Sequence, residues 1–327
     1  MRRLISLALL LASFSTPLFA FDRGNVLLED RTQTASYEVW LHFGWRYALP
    51  IATPLIYKAI PYIGPGHFIV PAPNELIFHD GRTVSVWDGV NRIFTEEGKG
   101  YNDIFTADTE LSEIIPMRNG RFLVAERWND LATGARLIQF DLNGRLAGYR
   151  FPTLVDAQNR AVGAEHIALL ADQCTLLYTL GADAPASNAV HRMNICSGEA
   201  ESDFATLIGG EEAGSIRQLA GGDVIVANGS AVLQFNPSGS LVRTYEFPGV
   251  THLALTVDGS SFWAAAVHDD QQALRHYDPS APDGRPESVQ IGNDEMRTIV
   301  VPAAVSDLVV VGEGVPVPAG RGRAARH

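Results

Sequence analysis

The chain has 327 residues, of which 46% are apolar and 19% charged, and its formal net charge is −12. Those proportions belong to a globular protein of one large domain or two ordinary ones, and exclude a disordered or fibrous chain. The acidic balance argues against nucleic acid as a partner.

Arg2 and Arg3 precede a mostly apolar run over residues 4–12, and the stretch closes on Ala20. This pattern predicts a signal peptide over 1–20, hence export to the periplasm or beyond the cell. The leader carries two arginines and no acid, so the mature chain would stand at −14. No later run predicts a transmembrane segment, because Pro50, Pro54 and Pro61 break the best candidate, 47–63.

Two strand-like runs come next, NVLLED (25–30) and SYEVWLHF (36–43). The aromatic- and proline-rich segment 44–66 follows. It is read either as a lid or plug on a channel or as an extended loop sealing the side of the domain.

From His67 onward one unit recurs: apolar strand, tight turn, apolar strand, loop, third strand, turn, fourth strand. Starts fall at His67, Leu111, Glu165, Ser215, Thr251 and Met296, about 36 to 54 residues apart. The plainest copies are IQFDLNGRL (138–146) with YRFP (149–152), and LQFNPSGSL (233–241) with YEFP (245–248). Asp-Leu-Asn-Gly and Asn-Pro-Ser-Gly are turn chemistry between apolar runs. Four-stranded units at this period predict an all-β fold, a six-bladed β-propeller over 21–315. Only MRTIVV and SDLVVVG remain for the sixth unit, so strands from both termini are expected to close the last blade. Residues 316–327, with Arg321, Arg323 and Arg326, read as a flexible basic tail.

Cys174 and Cys196 are the two cysteines. They lie on CTLLYTL (174–180) and VHRMNIC (190–196), which read as a hairpin. If 180 faces 190, then 174 faces 196, within reach of a disulfide. A reactive thiol pair is the rival reading.

The FDxxG-type turns, the blade period and the leader resemble the NHL-type and SMP-30/gluconolactonase-type propellers, a group that includes streptogramin-lyase-like proteins. The resemblance is architectural and covers most of residues 67–311. It implies a propeller and leaves enzyme and binding module both open.

First strands of propeller blades line the central channel. Here they begin GHFIV, SEIIP, EHIAL, IRQLA, THLAL and MRTIV, so His67, Glu113, His166, Arg217, His252 and Arg297 are expected to form one ring. Three readings follow. His67, His166 and His252 suit a divalent metal, zinc or calcium-like, with Glu113 as general base. Arg217 and Arg297 suit a carboxylate or phosphate ligand. The third reading is polar channel lining alone. Trp128, in Glu126-Arg-Trp-Asn-Asp130, is a candidate ligand-stacking or interface residue. GxSxG, HExxH and CxxCH motifs are absent. The expected function is an exported binding module for a small-molecule ligand or protein partner at the channel mouth. A metal-dependent lyase or lactone hydrolase is the alternative.

Overall fold

The computed structural model describes most of residues 110–313. The stretches 129–134, 142–145, 151–153, 156–160, 182–183, 185, 208–212, 269–270, 292–293, 302–304 and 311–312 are excepted. It also describes the strands 26–30, 38–42, 55–56, 68–72, 75–79 and 84–87 as backbone. The expected leader, most of segment 44–66, His67 and the tail 316–327 lie outside the described residues.

The fold is an all-β propeller, and no helix occurs among the described residues. None there is therefore long and apolar enough to cross a membrane. Four blades lie within the described part of residues 110–301. Blade A holds Glu110–Pro116, Arg121–Trp128, Leu137–Asp141 and Leu146–Arg150. Blade B holds His166–Leu169, Thr175–Thr179 and Ala189–Asn194, with Glu199–Ala200 and Ala205–Thr206 both paired to the third strand. Blade C holds Ile216–Gln218, Val224–Ala227, Ala231–Phe235 and Leu241–Glu246. Blade D holds Val250–Leu255, Phe262–His268, Gln271–Tyr277 and Ile299–Val301. Two further sheets are Phe68–Ala72, Glu75–His79 and Val84–Trp87, and Val305–Val310, Val26–Asp30, Glu38–His42 and Leu55–Ile56.

The repeated sequence is the hairpin from third to fourth strand in blades A and C. In blade C the Asn236 carboxamide oxygen accepts from the Ser238 and Ser240 N–H groups, both at 3.0 Å. Gly239 takes φ +83°, and a Cβ there would lie 2.0 Å from the Phe204 carbonyl oxygen in blade B. Both the backbone conformation and the space therefore demand glycine. Asn228-Gly-Ser is a turn of the same type, with Asn228 Oδ1 accepting from Ala231 N–H at 2.8 Å.

The core lies between blades. The YEFP residues Tyr245 and Phe247 of blade C meet Phe262 and Tyr277 of blade D in one buried cluster. Tyr245, Phe262 and Tyr277 sit with ring centroids 5.2 Å apart pairwise. Each fully buried side chain of this kind contributes about 1.5–3 kcal/mol. Equivalent clusters join blade A to B and blade B to C.

Two register expectations are corrected. The chain from Met296 does not begin an inner strand. Ile299–Val301 pairs with Gln271–Tyr277 as the outer strand of blade D. An excursion holding the ribbon Val289–Ile291 and Asp294–Met296 delays that strand, so it reads as the start of a new unit. The cysteine hairpin pairs Thr175 with Asn194 and Tyr178 with His191, one residue away from the expected register. Cys174 thus faces Ile195, whose N–H donates to the Cys174 carbonyl at 2.8 Å. The Cys174–Cys196 disulfide forms diagonally across a Cα separation of 5.2 Å.

Candidate functional site

The first strand of each blade has no neighbour on its channel side. In an antiparallel pair alternate N–H groups point away from the partner, so an inner strand carries a row of unmet donors. Side chains from other parts of the propeller meet them. The Ile167 N–H of blade B donates to Glu113 Oε2 of blade A at 2.5 Å. The Leu253 N–H of blade D donates to Ser215 Oγ of blade C at 3.3 Å. The Leu255 N–H donates to Glu313 Oε1 at 2.9 Å.

Glu113 and Glu313 are joined by one cation. Arg217 Nη1 of blade C lies 3.1 Å from Glu113 Oε1, and its Nε lies 3.1 Å from Glu313 Oε1. Arg217 Nη1 also donates to its own Ile216 carbonyl at 2.7 Å. His166 Nδ1 lies 3.6 Å from Glu113 Oε2. Glu113 is 2% exposed, while Arg217 keeps 17% and His166 16% of their side-chain surface. Burial pushes the Glu313 carboxyl above the ordinary glutamate range, against the opposing pull of Arg217 and two backbone N–H groups.

The structure therefore brings together Glu113, His166 and Arg217 from three inner strands. His252 stands on the inner strand of blade D, with Nδ1 2.7 Å from Thr251 Oγ1. Arg297 is exposed in the bend between Asp294–Met296 and Ile299–Val301, outside any inner strand. Trp128 ends the second strand of blade A, with its backbone opposite Glu110. Its neighbour Glu126, read from sequence as part of a ligand loop, is fully buried against Arg136. Arg136 Nη2 and Nε reach its carboxylate at 2.5 and 3.0 Å, and the Arg136 N–H donates at 2.8 Å.

Glu313 was not singled out in the sequence. It stands alone between Gly312 and Gly314 past the last apolar run, where neither period nor motif marks it. A second omission is polar and repeated. His191 and His276 both stand in third strands, of blades B and D, opposite Tyr178 and Trp263, the first near the start of its strand and the second near the end. Each has Nδ1 on a carboxylate, Asp203 at 2.8 Å and Glu287 at 2.6 Å. His276 Nε2 also lies 3.0 Å from Ser261 Oγ. Each ring also packs on its aromatic neighbour, which makes these structural hydrogen-bonded pairs.

Among the described residues no group of three or more His, Cys, Asp or Glu side chains is arranged to hold a metal ion. His67, one of the three expected ligands, lies outside that set.

Among solved structures the chain is similar to a protein of unknown function from Bacteroides caccae, at TM-score 0.59 and 13% identity, covering 88% of this chain and 98% of that one. It is also similar to a calcium-binding regucalcin from Agrobacterium tumefaciens, at TM-score 0.50 and 14% identity, covering 81% and 82%. In structure the chain resembles the SMP-30-like and NHL-like propellers. The likeness is one of structure. No protein-family model and no curated protein matches the sequence.

Proposed function

We propose that this SMP-30-like propeller is an exported binding module that takes a small ligand or a protein partner at the mouth of its channel. We further propose that it has six blades, the last built from both ends of the chain. The blade count is supported by the pairing of Val26–Asp30 with Val305–Val310, Val26 opposite Val310. It is also supported by the contacts of strand 305–310 with the first strands of blade D and of the sheet starting at Phe68. Export is supported by the disulfide, which oxidising compartments maintain.

The observation that carries the binding reading is Arg217. A guanidinium in the channel, aimed at carboxylates from other strands, is a fork suited to anionic groups. The test is a thermal-shift screen of the mature protein against small organic acids, repeated on Arg217→Ala. A ligand that stabilises the parent and leaves the variant unmoved supports the reading. A parent that no acid stabilises, and that captures no partner through Trp128 or segment 44–66, overturns it.

The approach of His166 to Glu113 favours a second reading, a divalent metal held by His67, His166 and His252 in a lyase or lactone hydrolase. The regucalcin neighbour is described as calcium-binding. The described residues fit this poorly. Glu113 has both oxygens engaged, and the Arg217 cation stands where a metal partner of Glu113 would be. Elemental analysis of protein purified without chelator decides it. One metal per chain, lost in each of His67→Ala, His166→Ala and His252→Ala, establishes the metal reading, and a metal-free folded parent that takes up no zinc removes it.

A further inference from the structure

Glu313 is held unlike the other channel carboxylate. Glu113 sits within a strand, fixed by the blade around it. Glu313 lies beyond the end of the last strand, Val305–Val310, in a turn closed by its own N–H on the Val310 carbonyl at 2.9 Å. Its carboxylate enters the channel and accepts from two donors on two blades, Arg217 Nε at 3.1 Å and the Leu255 N–H at 2.9 Å. A side-chain cation paired with a strand-edge amide is a receptor for a carboxylate. Both donors belong to the blades and exist whether or not Glu313 supplies the acid.

We propose that Arg217 Nε and the Leu255 N–H form a carboxylate-binding site in which Glu313 is a tethered occupant, and that an external carboxylic acid binds by displacing it. The proposal rests on the binding reading and names its ligand class. It gives the turn at Glu313 a task, since the tether sets a high local concentration against which any free acid competes. An external acid is therefore weakened by the fraction of time that Glu313 spends in the site. Burial opposes the charge of Glu313, which makes the occupant easier to displace than an acid bonded as fully as Glu113.

Chemical rescue tests this. Replacement Glu313→Ala removes the γ-carbon and the carboxylate, a fragment equivalent to acetate. Thermal unfolding midpoints are measured for the parent, Glu313→Ala and the double variant Arg217→Ala/Glu313→Ala, in sodium acetate against sodium chloride at equal ionic strength. The expected result is a saturable rise for Glu313→Ala, with half-saturation at least tenfold below any rise in the parent, and none in the double variant. Equal rises in all three proteins indicate a general salt effect and overturn the proposal, as does no rise in a folded Glu313→Ala. If Glu313→Ala fails to fold, Glu313→Gln replaces it, and a tenfold gain for acetate over the parent is required there. Rescue by acetate, combined with a parent that no acid stabilises and that captures no partner, keeps the tethered site, overturns displacement by an external acid and removes the binding reading. The two can therefore fail separately.

Discussion

Arg217 is the residue on which most of the channel depends. Its replacement by alanine leaves Glu113, buried, and Glu313, nearly so, without their shared cation. Breaking a buried pair from one side costs about 3 kcal/mol or more. Arg217→Ala is therefore expected to lower the urea midpoint sharply, and a loss below about 1 kcal/mol would show that water already screens the pair. Glu313 gives a pH signature. Its carboxyl binds a proton more tightly in the folded protein than in the unfolded chain. Its contribution is fully present below the ordinary glutamate range and is lost as pH rises through the raised folded value. The stability of the parent relative to Glu313→Gln should thus fall as pH rises above the ordinary glutamate value of 4.5, and urea titrations showing the opposite slope refute the assignment. Positions were legible here more than partnerships. Aligning strand starts put Glu113, His166 and Arg217 on inner strands, because apolar runs and turns mark where strands begin. No pattern in the sequence says which donor a side chain meets across a channel. Glu313 was invisible for that reason.

The hairpin is the element that the sequence wrote most plainly. Asn236-Pro-Ser-Gly239 specifies a turn, and the turn is also an interblade contact, with the Phe204 carbonyl against Gly239. Gly239→Ala forces a disfavoured φ and displaces blade B. A loss of about 2 kcal/mol or more is expected in denaturant titration, and a loss within 0.5 kcal/mol would show that the blades yield at this contact. The cysteine hairpin shows the limit of reading elements alone. Strand identity was legible from alternation, but its register was one residue out, because the conformation of the connecting stretch sets the parity. The bridge tolerates the slip, since diagonal neighbours in a ladder still lie within disulfide range. With its cysteines 22 positions apart, the bridge should contribute about 3 kcal/mol. Reduction, or the double variant Cys174→Ser/Cys196→Ser, is expected to lower the unfolding free energy by that amount in urea titration, and an unchanged value refutes the role.

At the scale of the molecule, an all-β propeller was legible from the period of the units. The boundary near Met296 was not, because an apolar outer strand and an apolar inner strand look alike when an excursion separates one from its blade. If the two ends of the chain share a blade, removing residues 305–327 deprives Val26–Asp30 of its partner and exposes a sheet edge. The truncated protein should then unfold less cooperatively and elute as oligomers in size-exclusion chromatography. A monomer with unchanged cooperativity excludes closure by the terminal strand.

The loans between blades have a consequence for ancestry. Propellers grow by copying a blade, and a copy brings its own apolar faces with it. It does not bring the acid or hydroxyl that its inner edge borrows from elsewhere, as Ile167 borrows from Glu113 and Leu253 from Ser215. A freshly inserted blade would arrive with unanswered amides facing the channel, and its neighbours would have to change before it could settle. Such a ring ages into a fixed sequence of non-interchangeable parts: SEIIP, EHIAL, IRQLA and THLAL are alike in shape, yet one blade lends a carboxylate from Glu113 and another a hydroxyl from Ser215.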